Sequence, residues 1–155
     1  MQISNNMKAY LSMLGWSEGT TTIKGSDNGY NVIVGGGLFT SYADHPHKSV
    51  KIPSLGISST AAGRYQLLAK YWDGKNGYKY SLKLSNYGPE SQDAVAVQQI
   101  KEQGAYADIE SGNIKAAIQK CSNIWASLPG AGYGQHEQKI DDLLAVYREN
   151  GGIVA

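Results

Sequence analysis

Apolar residues recur at helical spacing near both ends of the chain, and this frames everything between them. Met7, Tyr10, Leu11 and Leu14 fall on one face and predict a helix from about Ser4 to Trp16. Ser4, Asn5 and Asn6 offer N-caps, and Gly15 and Gly19 bracket the end. Near the other terminus, Ile140, Leu143, Leu144 and Tyr147 predict an amphipathic helix over about Gln135 to Asn150, with Gly151-Gly152 beyond it.

Between these helices the period changes. Tyr30 to Val34 reads as a strand, Gly35-Gly36-Gly37 as a turn and Leu38-Phe39-Thr40 as the return strand of a small β-hairpin. Pro46 and Pro53 punctuate an irregular loop. Ser59 or Thr60 can cap a helix from about Ala61 to Trp72, and the stretch from Asp73 to Tyr87 reads as an exposed connection. Pro89 opens a helix that Gly104 ends. Shorter helices are expected over Ala105–Glu110 and Asn113–Cys121, then a turn over Asn123–Ser127 and a loop over Pro129–Gly134. The expectation is an α+β fold, mostly helical with one small β-hairpin sheet, forming a single domain over residues 1–155.

With 155 residues, the chain is long enough for one hydrophobic core, and no repeat or linker interrupts it. A net charge of +1 gives no large single-sign field, so nothing points to nucleic acid. Lys75, Lys79 and Lys83 read as a solvated surface. The single cysteine, Cys121, cannot form an intramolecular disulfide and falls on an apolar helical face, as a small core residue would. The first twenty residues lack a basic region followed by an apolar run, and no stretch is long enough to span a bilayer. Membrane insertion and export are therefore not expected. There are 11 tyrosines against one phenylalanine, and rings with a polar tip suit either ordinary packing or a carbohydrate cleft.

Several motifs fail on inspection. Gly130-Ala131-Gly132-Tyr133-Gly134 has the wrong glycine spacing for a dinucleotide loop and no strand before it. His136-Glu137 lacks the second histidine of a zinc-protease helix, and His45-Pro46-His47 has no third ligand nearby, so no metal or other cofactor is expected. No Gly-x-Ser-x-Gly elbow supports a serine hydrolase. Glu18 remains, in Trp16-Ser17-Glu18-Gly19-Thr20 at the expected C-terminus of the first helix. The negative end of the helix dipole and burial beside Trp16 would both raise its pKa, as a glycosidic acid requires. Position alone fits a surface carboxylate equally well.

Six segments, taken together and in order, carry a family resemblance. They are Trp16 to Thr20, Val32 to Gly36, Leu38 to Thr40, Gly63 to Leu68, Ser91 to Ala96 and Cys121 to Gln135. They resemble the lambda-type phage endolysins, a family of lytic transglycosylases with a lysozyme-like fold, over nearly the whole chain. The Asp73–Tyr87 connection and the termini depart from the pattern.

The resemblance implies cleavage between N-acetylmuramic acid and N-acetylglucosamine of peptidoglycan strands, leaving a 1,6-anhydro ring. It assigns the single catalytic glutamate to Glu18. Gln66 falls in a motif similar to that of wider lysozyme-like transglycosylases, where its amide would bind an N-acetyl group or steady the cleft wall. Tyr65, Tyr133 and Ser127 are further candidates for substrate binding. A family member of this kind is expected to be a monomer that waits in the host cytoplasm until a holin opens the membrane, and then acts in the periplasm. Two other classes stay open: a hydrolytic lysozyme using Asp27 or Asp44 as a second carboxylate, and a binding module without turnover.

Overall fold

Ser4 starts the first helix as the sequence suggests: its side chain accepts a hydrogen bond from the Met7 N–H at 3.0 Å. The structure is a computed structural model and describes residues 2–155. Helix α1, Asn5–Ser17, is buried at Met7, Ala9, Tyr10, Leu11, Met13, Leu14 and Gly15, nearly all round its circumference. A helix so surrounded belongs in the middle of a core.

The chain divides into two compact units: residues up to Glu18 together with Ala96–Ala155, and the contiguous Gly19–Val95. In the first unit α1 packs on α5 (Tyr106–Glu110) and α7 (Ile140–Glu149), while α6 (Ile114–Cys121) packs on α5. Ile109, Ile114, Ile118, Cys121, Leu143 and Tyr147 are fully or almost fully buried. Asn6 ties the unit at two points, donating to Ile109 O and accepting from Ile153 N, both at 3.0 Å. Helix α7 begins at Ile140, five residues later than its pattern predicts. The preceding residues are spent otherwise: Lys139 is extended, and Gln138 gives its backbone N–H to Ser127 O at 2.7 Å.

In the second unit, the only sheet among the described residues is the antiparallel pair β1 (Val50–Ile52) and β2 (Ile57–Ser59), joined by a turn over Pro53–Leu55. This corrects the expected hairpin at Tyr30–Thr40, where one isolated bridge, Val32 to Leu38, forms instead. The segment pairs across the unit. Val34 donates to Ala61 O at 3.0 Å, and Gly63 donates to Val32 O at 2.8 Å.

That pairing removes Ala61–Leu68 from the expected helix, leaving only α2, Ala69–Trp72. Its N-cap is Leu68, not Ser59 or Thr60, and the Thr60 hydroxyl accepts from the Ala69 N–H at 3.0 Å across the intervening segment. Gly63 has φ +87°, and a Cβ there would lie 2.4 Å from the Gln92 side-chain oxygen. Neither a helix nor any larger residue fits this position.

The Asp73–Tyr87 stretch is also more ordered than expected. It contains α3, Tyr78–Ser81, and ends on Tyr87, which is 2% exposed and donates to Ala62 O at 2.8 Å. Tyr87 joins Leu67, Trp72 and Val95 in the core of this unit. Helix α4, Pro89–Glu102, then leads from the second unit back into the first. Among the described residues, seven α-helices and one two-stranded sheet make this an α+β fold, mostly helical.

Candidate active site

Glu18 follows the last turn of α1. Its backbone is still helical and donates to Leu14 O at 2.9 Å, and Gly19 then turns the chain away at φ +79°. Burial pushes the Glu18 carboxyl up from 4.5 to about 7, while a hydrogen bond from the Ser127 hydroxyl works in the opposite direction. A carboxyl poised there is half protonated near neutrality, which is what a general acid needs.

Ser127 reaches this position from the turn after α6. Its hydroxyl lies 2.7 Å from that of Ser17, and both serines are buried. Gln138 closes the arrangement from a third segment. Its side-chain N–H donates to Ser17 O at 3.2 Å, and its backbone N–H donates to Ser127 O at 2.7 Å. Ser17 O is one of the terminal carbonyls that α1 itself leaves without a partner.

Between Ser127 and Gln138 runs the glycine-rich loop. The Glu137 carboxylate accepts from the Gly130 and Gly132 N–H groups, each at 2.9 Å. These bonds hold its pKa below the ordinary carboxylate value. The Tyr133 hydroxyl donates to Asn123 O, leaving the ring 55% exposed and able to meet a ligand.

Tyr65 and Gln66 belong to the second unit. Tyr65 is buried and donates to Asp93 at 2.6 Å, as Tyr30 does at 2.9 Å. Arg64 lies over both rings and donates to both hydroxyls. Tyr65 therefore builds the support under this segment. Gln66 sits in a left-handed turn at φ +57° rather than on a helix. Its amide nitrogen donates to Gly63 O at 2.9 Å and Val32 O at 3.3 Å, so what it can offer a sugar is its oxygen.

The two further carboxylates are engaged within the second unit. Asp27 accepts from the Tyr42 hydroxyl at 2.6 Å. Asp44 accepts from Trp72 Nε1 at 2.7 Å and pairs with Lys79 at 3.3 Å. Burial would raise the Asp44 pKa, but these donors outweigh it and leave the carboxyl below its usual value. The histidines are engaged too. His45 Nδ1 accepts from the His47 N–H, so its Nε2 donates to Leu67 O, while His47 pairs with Asp73 at 2.8 Å. Among the described residues, no three His, Cys, Asp or Glu side chains gather where they could hold a metal ion.

Sequence reasoning missed Ser17 and Gln138. Ser17 directly precedes Glu18, but nothing in the pattern marks it as buried. Gln138 was absorbed into the periodicity of the last helix. Only the meeting of three distant segments reveals either one.

The endolysin family model matches residues 8–154. The endolysin of Escherichia phage lambda is 56% identical over 156 residues, spanning 99% of this chain and 96% of that relative. The endolysin of Escherichia phage P2 is 45% identical over 160 residues, spanning 97% and 95%. In structure, the chain is similar to bacteriophage lambda lysozyme complexed with a chitohexasaccharide, with TM-score 0.93, 55% identity and coverage of 100% and 99%. A second lambda lysozyme structure matches with TM-score 0.89 and 53% identity, over the same shares of the two chains. The chain belongs to the endolysin family.

Proposed function

We propose that this chain cleaves the β-1,4 bond between N-acetylmuramic acid and N-acetylglucosamine in peptidoglycan as a lytic transglycosylase, with Glu18 as acid and then base. The observation that carries the reading is a Glu18 carboxyl raised to about 7 by burial, with the Ser127 hydroxyl bonded to it. The solved relative bound to a chitohexasaccharide supports a glycan as the substrate.

Protonated Glu18 gives its proton to the glycosidic oxygen as the C1–O bond breaks. The muramic acid ring passes through an oxocarbenium-like state. The Glu18 carboxylate then takes the proton of the C6 hydroxyl, whose oxygen bonds to C1 and closes the 1,6-anhydro ring. Glu18 ends protonated and no water is consumed. The Ser127 bond favours the ionised form and so steadies Glu18 during the half of the cycle in which it is charged. The exposed Tyr133 ring and the Gln66 oxygen are the proposed sugar contacts, with Tyr65 supporting the latter from beneath.

In the wider reading, the chain is one catalytic domain of a phage lysis system, acting as a monomer without a cofactor. It waits in the host cytoplasm and reaches peptidoglycan in the periplasm once a holin has opened the inner membrane. No described helix is long and apolar enough to cross a membrane by itself.

The name lysozyme carried by the solved relatives favours a second reading, hydrolysis with Asp27 or Asp44 as partner. Product chemistry separates the two. Purified murein is digested, treated with borohydride and weighed by mass spectrometry. Anhydro ends are lighter than hydrolysed ends by one water and resist reduction. Mainly reducible ends would replace the transglycosylase with a hydrolase.

A further inference from the structure

We infer that Gln138 is a positioning residue for the reaction, a staple that fixes the Ser127 hydroxyl against the Glu18 carboxyl. This rests on the reading of Glu18 as the acid. Three segments meet here that have no covalent reason to stay together: the end of α1, the turn after α6 and the residues before α7. Gln138 bonds to both of the others at once, through its side chain to Ser17 O and through its backbone to Ser127 O. The two serines it joins are themselves bonded, hydroxyl to hydroxyl, at 2.7 Å.

The closed circuit Ser17–Ser127–Gln138 leaves the Ser127 Oγ little freedom to leave Glu18. A hydroxyl has one proton and a free rotor. Held by Ser17 on one side, it has Glu18 as its directed partner on the other. Without the side-chain bond to Ser17 O, the end of α1 and the Ser127 turn are tied only through the two serine hydroxyls, and the Ser127 hydroxyl can swing to solvent. The Glu137 clasp on Gly130 and Gly132 orders the intervening loop but touches neither serine in these bonds. It therefore serves as an internal control for general loop order.

The variants are Gln138→Met, similar in length but without the donor, and Gln138→Asn, too short to reach Ser17 O. Both retain the backbone N–H. They are compared with Ser127→Ala, the double variant and Glu137→Ala. The readout is the midpoint of the Glu18 carboxyl, followed by NMR on 13C-labelled glutamate. Loss of the Ser127 bond should move this midpoint up by about one pH unit.

The expected result is an upward shift in Gln138→Met and Gln138→Asn matching that of Ser127→Ala, with no further shift in the double variant. A merely structural role would lower the melting temperature and leave the midpoint in place. An unmoved midpoint in both Gln138 variants, additive shifts, or an equal shift in Glu137→Ala would overturn the inference. The titration needs no turnover, so the staple and the catalytic assignment of Glu18, tested by the activity of Glu18→Gln, fail independently.

Discussion

The hydroxyl oxygens of Ser17 and Ser127 lie 2.7 Å apart although 110 positions separate them in sequence. One serine directly precedes Glu18 and the other bonds to its carboxyl, so the surroundings of the proposed acid are set by two distant parts of the chain.

Glu18→Gln should fold normally and lose lytic activity by at least ~100-fold, because the amide keeps the shape and cannot donate the proton. Turbidity loss of outer-membrane-stripped bacteria measures this, with circular dichroism as the folding control. Retention of roughly a tenth of the wild-type rate or more would remove Glu18 from its role.

The same residue should leave a signature in stability. Unfolded, Glu18 releases its proton near 4.5; folded, near 7. The folded state therefore holds the extra proton between these values. The stability this contributes is fully present below 4.5 and is lost as pH rises through about 7. For a partly buried group the loss is about 1–3 kcal/mol after allowing for solvent screening. Glu18→Gln never ionises, so it should gain on wild type by this amount between pH 4.5 and pH 8. Denaturant melts at the two pH values check it, and an equal gap at both would contradict the burial. In activity, the acid form of Glu18 should decline about tenfold per pH unit above its midpoint.

Gly63→Ala should destabilise by about 2–4 kcal/mol, since a Cβ there meets the Gln92 side chain and the left-handed backbone disfavours any L residue. Urea denaturation measures it. A loss below about 0.5 kcal/mol would show that the Gln92 contact relaxes freely.

Gly63 also shows where the sequence was legible and where it was not. The terminal helices, α4, α5 and α6 follow from apolar spacing and end signals, because each is decided within its own few turns. The middle of the chain is decided by pairing at a distance. Tyr30–Val34 has the composition of a strand, yet its backbone bonds are divided between its own return arm, where Phe39 donates to Asn31 O, and the distant Ala61–Gly63. Local spacing cannot reveal that choice. Glu18 stood out because a carboxyl at a helix C-terminus invites explanation and because the family resemblance assigns it the acid's role. Ser127 was legible only through that resemblance, and Ser17 and Gln138 not at all.

Asp93→Asn should cost about 1–3 kcal/mol, because the carboxylate accepts from two tyrosine hydroxyls that also receive from Arg64. The chemical-denaturation midpoint reports the loss. An unchanged midpoint would mean that the amide serves both tyrosines as well as the carboxylate does.

Prolonged chelator treatment should leave activity unchanged, since His45 and His47 bond to Leu67 O and Asp73 and the proposed steps move only protons. Activity lost with chelator and restored by zinc would point back to these two histidines.

Because α1 packs on α7, the helix that leads to Glu18 finds its main cover in the last helix made. Gly19–Val95 is contiguous and compact, so every residue it packs within itself is made before the last helices are. The α1 helix, made first, has to wait for residues 140–149 before its buried face is covered. A ribosome stalled before residue 138 would hold a chain whose first helix lacks its α7 cover and whose Ser17 lacks its Gln138 partner. The surroundings of Glu18 are thus completed only by the last stretch of translation.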